Sequence, residues 1–267
     1  MRAYYSVLKL RLILGMQYRA AALAGVATQF FFGFLYIMLF EAFYAQSGVE
    51  PPMSFPELVT YLWLKQAFLA FVVLWFRDNE LFNLITTGNI AYELCRPADI
   101  YGYWYAKLIA QRLSSALLRC LPILLVAMLL PKPYRMTVPS SWTTFALFVV
   151  SLLLGLMLLV AIGMFIYLSV FYTMSPTGSI LLFGVLGEFL AGMVVPVPMM
   201  PDWMQNIVVC LPFHLTGDFP FRVYSGHIAG SAVGLGIVQQ LIWLAALLVL
   251  GRVAFGRALR RVVIQGG

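Results

Sequence analysis

From Ala20 to Phe40 the chain runs for 21 residues without a charge. That single stretch decides more than any motif, because a helix needs ~20 mostly apolar residues to cross a hydrocarbon core of ~30 Å. The run follows a basic segment holding Arg2, Lys9, Arg11 and Arg19. A basic-then-apolar start is shared with secretory signal peptides, but this run is long enough to stay in the membrane as an anchor. Six segments pass the length test, namely 20–44, 55–76, 105–130, 142–172, 178–200 and 230–251. Of the 267 residues 63% are apolar and 10% charged, against roughly 45–50% and about 25% in a soluble domain. The sequence therefore predicts an all-α integral membrane protein of six transmembrane helices, a single membrane domain over 1–267.

Orientation follows from the positive residues that flank the spans, since these are retained on the cytoplasmic side. With the N-terminus inside, Arg2, Lys9, Arg11, Arg19, Arg77, Arg96, Lys107, Arg112, Arg252, Arg257, Arg260 and Arg261 are inner, and only Lys132, Arg135 and Arg222 are outer. Twelve against three places both termini in the cytoplasm. The same clustering beside apolar runs, rather than in a basic patch with interleaved aromatics, argues against nucleic acid despite the net charge of +7. Residues 1–19 are expected to form an interfacial helix, with Tyr5, Leu8, Leu12 and Met16 on its apolar face, or else a simple extension of the first span.

Three interruptions carry the rest of the information. The inner connection 77–104 holds Asp78, Glu80, Glu93 and Asp99, with a turn at Thr87-Gly88-Asn89, a short helix over 90–95 and a stop at Pro97. An ordered loop of mixed charge suits the docking of a soluble partner. The inner connection at 173–178 is short and uncharged, so spans four and five form a tight hairpin, with Ser175 as N-cap and Pro176 at the first helical position. The outer segment 195–229 contains Pro196, Pro198, Pro201, Pro212 and Pro220 and remains apolar. Backbone so broken must pack on protein or line a wet cavity, with a short helix expected over 203–211.

Little in the chain speaks for catalysis. His214 and His227 lack a second ligand at metal spacing, and no G-x-x-x-x-G-K-[ST] loop is present. Cys95, Cys120 and Cys210 fall in different compartments and are read as structural. Ionisable groups inside spans are more informative, because burying a charge at mid-membrane costs about 2.5–3.5 kcal/mol even on the lenient insertion scale. Lys65, Arg119 and Glu188 fall there, with Gln29 as a weaker polar candidate. Glu188 is expected to neutralise one cation. The surplus positive charge then meets an anionic substrate, snorkels, or pairs with backbone carbonyls.

The full length of the chain resembles a permease subunit of the bacterial type-2 ATP-binding-cassette exporters. The similar strings are I-T-T-G-N-I-A-Y-E-L-C-R-P at 85–97, V-P-V-P-M-M-P-D-W at 195–203, L-P-F at 211–213 and G-R-A-L-R-R-V-V-I-Q-G-G at 256–267. The resemblance implies a plasma-membrane exporter of a drug, peptide or lipid-like molecule, in which two permeases, copies or relatives, each engage a separate ATPase subunit. ATP and magnesium would sit on that ATPase, with no cofactor in this chain. The ATPase-coupling element would map to Asn89, Ile90, Tyr92, Glu93, Leu94, Arg96 and Pro97, with Ile90, Tyr92 and Leu94 as its apolar contacts. Gln29, Lys65, Arg119 and Glu188 would be candidates for the substrate path. Two alternatives stay open: a polysaccharide exporter, and a secondary transporter driven by an ion gradient through Glu188.

Overall fold

The computed structural model describes residues 19–46, 51–75, 77–95 and 99–260, with single positions 6, 9, 10 and 13 ahead of them. The interfacial helix expected over 1–19 falls almost wholly outside the described residues, as do Arg96 and Pro97. Among the described residues helix is the sole regular secondary structure, and four helices are long and apolar enough to cross a membrane. These are α1 (Arg19–Gln46), α6 (Ile100–Leu129), α7 (Trp142–Thr173) and α11 (Ser231–Leu259).

Each long helix buries one stripe and leaves an apolar face outward. On α1 the buried positions Val26, Gln29, Gly33, Ile37 and Phe40 recur at helical spacing, while Phe31, Phe32, Leu35 and Met38 are exposed. Such a reversed pattern is what lipid requires, since the outer face meets hydrocarbon and close packing uses small residues. Gly33 shows the latter: a Cβ there would lie 2.7 Å from the Trp63 ring, which Phe30 and Phe34 meet edge-on.

The second predicted span is not one helix. α2 (Phe55–Ala67) starts at a capping box in which the Ser54 N–H donates to Glu57 Oε2 at 2.8 Å, and it breaks at Phe68. α3 (Leu69–Val72) adds one turn, and Val73 is extended. From Leu58 to Ala67 every residue of α2 is buried. It is wrapped by α1, α6 and the outer segment, so it is shielded from lipid along most of its length. The end of α3 is held from α6: Arg112, itself buried, donates to the carbonyls of Ala70 at 2.8 Å and Val73 at 2.7 Å. A cation on the carbonyl end of a broken helix satisfies acceptors that water cannot reach.

The inner loop forms α4 (Asn79–Thr86) and α5 (Ile90–Leu94), and α6 follows at Ile100, earlier than expected. At the hairpin, α7 ends on Met174 at φ +53° and α8 (Pro176–Leu190) begins at proline, although the Ser175 side chain makes no capping bond. α8 stops about ten residues before the predicted end of the fifth span. Gly192, at φ +76°, turns the chain, and Pro196 and Pro198 prevent resumption. At ~1.5 Å per residue its 15 residues reach about 23 Å.

The outer segment then runs through a 3-10 turn (Val197–Met199), α9 (Asp202–Cys210), a second 3-10 turn (His214–Thr216) and α10 (Asp218–Ser225). It folds back into the protein: Leu215, Thr216, Asp218, Phe219, Phe221 and Val223 are buried against α2, α7 and α11. Gly155 on α7 admits the Thr216 carbonyl, where a Cβ would meet oxygen at 2.6 Å. Gln240 on α11 donates to the carbonyls of Ser151 and Leu215 at 2.9 and 2.8 Å.

Candidate functional site

Lys65 sits on α2 with its stem buried and its ammonium 3.7 Å above the centre of the Tyr36 ring of α1. An aromatic face attracts a cation, and more strongly out of water. Glu188 on α8 is partly exposed and close enough to interact electrostatically with both Lys65 and Tyr36. The expected neutralisation is nevertheless not a direct one. Ion pairs among the described residues join Lys107 to Asp78 and Glu80, Arg222 to Asp218, His227 to Glu57, and Arg252 to Asp99, and Lys65 and Glu188 are in none of them.

The reason is the placement of α8. It lies along α7 and makes no comparably extensive contact with α1 or α2. Two of its glycines face inward, Gly187 against Leu74 and Phe213, and Gly184 near Trp75. Glu188, carried on α8, thus forms no ion pair with the Lys65 ammonium. Arg119 reaches from α6 to a second place on the surface of α1, its guanidinium 2.9 Å from where a Gly25 Cβ would stand. Gln29 is one turn further along the same helix face, buried, with its Oε1 lacking a partner among the described residues. Gln29, Lys65 and Arg119 therefore lie on or against α1, whereas Glu188 is carried on α8, which packs on α7. Tyr36 is the member that sequence reasoning missed, and only its two-turn spacing from Gln29 signals it.

At the inner end the loop is braced from α6. Lys107, a buried residue, pairs with Glu80 at 2.8 Å and with Asp78 at 3.3 Å. Asp78 caps α4 by accepting from the Glu80 N–H at 2.9 Å, and its own N–H donates to the Tyr167 hydroxyl of α7 at 2.8 Å. Phe82 stacks on the Tyr167 ring at 4.4 Å. Lys107 and Arg112 enter the sequence argument only as topology charges, and the structure gives both a packing role.

The tip of this loop divides the predicted coupling residues. Tyr92 is 75% exposed and Leu94 39% exposed, Asn89 is exposed, and Glu93 is partly so. Ile90 is only 1% exposed and belongs to the core beneath, which removes it from the set of contact residues. Helical spacing explains the division: Ile90 and Leu94 are a turn apart, but α5 ends at Leu94, so only the first of them reaches the core.

Outside the spans Asp218 is fully buried and ties three elements together. Its Oδ1 accepts from the Tyr61 hydroxyl of α2 and the Val197 N–H, both at 3.1 Å, and its Oδ2 from Arg222 at 3.2 Å. His227 Nδ1 lies 3.8 Å from Glu57 Oε2, and His214 Nδ1 is 2.9 Å from the Leu211 carbonyl. Burial lowers the pKa of both histidines below the usual range. Among the described residues no cluster of His, Cys, Asp or Glu is arranged to hold a metal.

No curated protein and no solved structure gives a significant match to the chain. One family model does, covering residues 30–266, and its description is ABC-2 family transporter protein.

Proposed function

We propose a function from one premise: this chain belongs to the ABC-2 transporter family. It is a multi-pass membrane protein, and membership makes it the membrane subunit of an ABC transporter. The finer reading is an exporter permease, partnered by a separate ATPase, that moves a drug, peptide or lipid-like molecule outward across the inner membrane. The observation that carries it is the family match across nearly the whole chain.

Two features support the finer reading. Six crossings result if α2 with α3, and α8 with the turn that follows it, complete the set begun by the four long helices. An even number agrees with the excess of inner Lys and Arg and puts both termini inside. At the inner side, Tyr92 and Leu94 stand exposed on a loop braced through Lys107 to α6. An apolar knob on a rigid mount transmits the movement of a docked ATPase to the helices. ATP drives such a cycle only by favouring one conformation of the assembly over the other.

The direct test is to tag the chain, extract it gently from its native membrane and ask whether an ATPase accompanies it. Recovery of a stoichiometric ATPase is expected. Transport by the chain alone, lost in Glu188→Gln and coupled to an ion gradient, would replace this reading with the secondary transporter.

A further inference from the structure

We propose that the chamber between α4 and the start of α8 binds the phosphate head of an anionic phospholipid of the inner leaflet, with Arg77 as its cation. The chamber has a volume of about 540 Å³ and is walled by Arg77, Asn79 and Asn83 on one side and by Thr177, Ile180 and Leu181 on the other. Arg77 stands outside every ion pair among the described residues. Its Nε donates to Asn79 Oδ1 at 3.1 Å, which orients the guanidinium and leaves its terminal N–H groups for a ligand. A narrow recess of about 10 Å³, room for one water, adjoins the chamber and shares Arg77 with it, and the buried Arg112 stands in its wall. Among the described residues no carboxylate lines either space. The neighbouring acids Asp78 and Glu80 are turned to Lys107, so the base of the inner loop sets three cations, Arg77, Lys107 and Arg112, against these two carboxylates.

A phosphate presents several acceptor oxygens, which a guanidinium fork, the Asn83 amide and the opening turn of α8 share between them. α8 contributes because Ser175 makes no capping bond, so the first N–H groups after Pro176 stay open to an acceptor. The outward wall favours a lipid over a soluble phosphate. Leu181 and, one turn on, Val185 are exposed, and they form an apolar track along α8 for an acyl chain. On the topology proposed above the chamber lies at the cytoplasmic leaflet, where anionic heads are attracted to basic pockets between helices. α4 and α8 each pack on α7, so a head held between them ties the base of the inner loop to the hairpin of α7 and α8.

The test needs neither an ATPase nor transport. The purified chain in a non-ionic maltoside micelle is titrated with tail-labelled phosphatidylglycerol and with phosphatidylcholine of matched chains. Phosphatidylglycerol is expected to bind about tenfold more tightly. Arg77→Gln and Asn83→Asp are each expected to remove that preference, the second by placing a carboxylate in the chamber, with size-exclusion profiles confirming that both variants stay folded. Arg252→Gln, at another inner cation, should leave the preference intact. An equal loss there would reveal only a diffuse attraction of anionic lipid to the basic end of the protein and would overturn the site. Glycerol 3-phosphate at equal concentration should fail to compete, and competition by it would overturn the lipid assignment in favour of a soluble phosphate. Equal binding of the two lipids, or undiminished preference in both Arg77→Gln and Asn83→Asp, would also overturn the site. An ATPase that co-purifies while the lipid preference is absent would sink this inference and leave the exporter reading standing.

Discussion

The inner loop at 77–95 and the outer segment at 195–229 are both interruptions between helices, and they are built on opposite plans. The inner loop is anchored at its base and exposed at its tip. Lys107 and Tyr167 hold Asp78, while Tyr92 stands 75% exposed. The outer segment is anchored at its middle and buried along its return, with Asp218, Phe221 and Val223 essentially inaccessible. A base-anchored loop offers a surface and a middle-anchored one removes it. On the proposed exporter reading the exposed tip is the surface an ATPase would meet, whereas the outer segment closes the protein around its own broken backbone.

The sharpest way to break this contrast is at Asp218. Asp218→Ala removes the acceptor for Tyr61, Val197 and Arg222 together and leaves buried donors unpaired. The expected loss is about 3–5 kcal/mol, read as a collapse in folded yield or a large fall in Tm. A Tm within a degree of wild type would mean that the outer segment is not held from its middle. Lys107→Met comes next, with about 2 kcal/mol, less because Glu80 is 65% exposed and water screens its share. Faster proteolytic cleavage within 77–95, with the outer segment still protected, is the expected signature. Cleavage at the wild-type rate would show that the brace is dispensable.

Where the sequence succeeded and where it failed has a common physical cause. α1, α7 and α9 fall within two residues of their expected bounds, because each is set by its own composition and local caps. The break at Phe68 has no glycine or proline to announce it. The carbonyls of Ala70 and Val73, where the helix finally ends, are satisfied by Arg112, a residue distant in sequence that no local window contains. Lys107 and Arg112 look like flanking charges when α6 is expected to begin at Tyr105. Its actual start at Ile100 carries both inside, about two and three turns along. Of the candidate site, Lys65 and Glu188 were legible because a charge in an apolar run is expensive and rare. Tyr36 was not, since an aromatic ring in a membrane helix is ordinary until a cation is seen resting on it.

A smaller effect separates the two regions by pH. His214 and His227 belong to the outer segment, and burial lowers both pKa values relative to the unfolded chain. Neighbours act in both directions, Asp218 and Glu57 favouring the charged form and Arg222 opposing it. A depressed histidine pKa means the unfolded state takes up protons first. The stabilising contribution is therefore complete above about 6.5 and is lost as pH falls through the folded-state values. Tm should fall between pH 7.5 and 5.5 by a few degrees, and His214→Gln should flatten the slope. An unchanged slope in His214→Gln would exclude that residue as its source.

The least effect on stability is expected at the most exposed residue of the inner loop. Tyr92→Asp alters a side chain that covers none of the core, so stability should change by no more than about 0.5 kcal/mol. If the tip is the mount for an ATPase, the same substitution places a carboxylate at the centre of an apolar contact. Central aromatic residues carry a disproportionate share of interface energy, and their removal commonly costs about 2 kcal/mol or more. The ATPase should then be lost on gentle extraction while Tm holds. Ile90→Ala supplies the opposite control, because Ile90 is 1% exposed and belongs to the core. It should cost ~2 kcal/mol of stability or more, read as a fall in Tm, without changing the surface the ATPase meets. Were Tyr92→Asp to lower Tm while leaving the ATPase bound, the exposed tip would be a structural element of this chain, and the contrast between an offered inner loop and a closed outer one would fail.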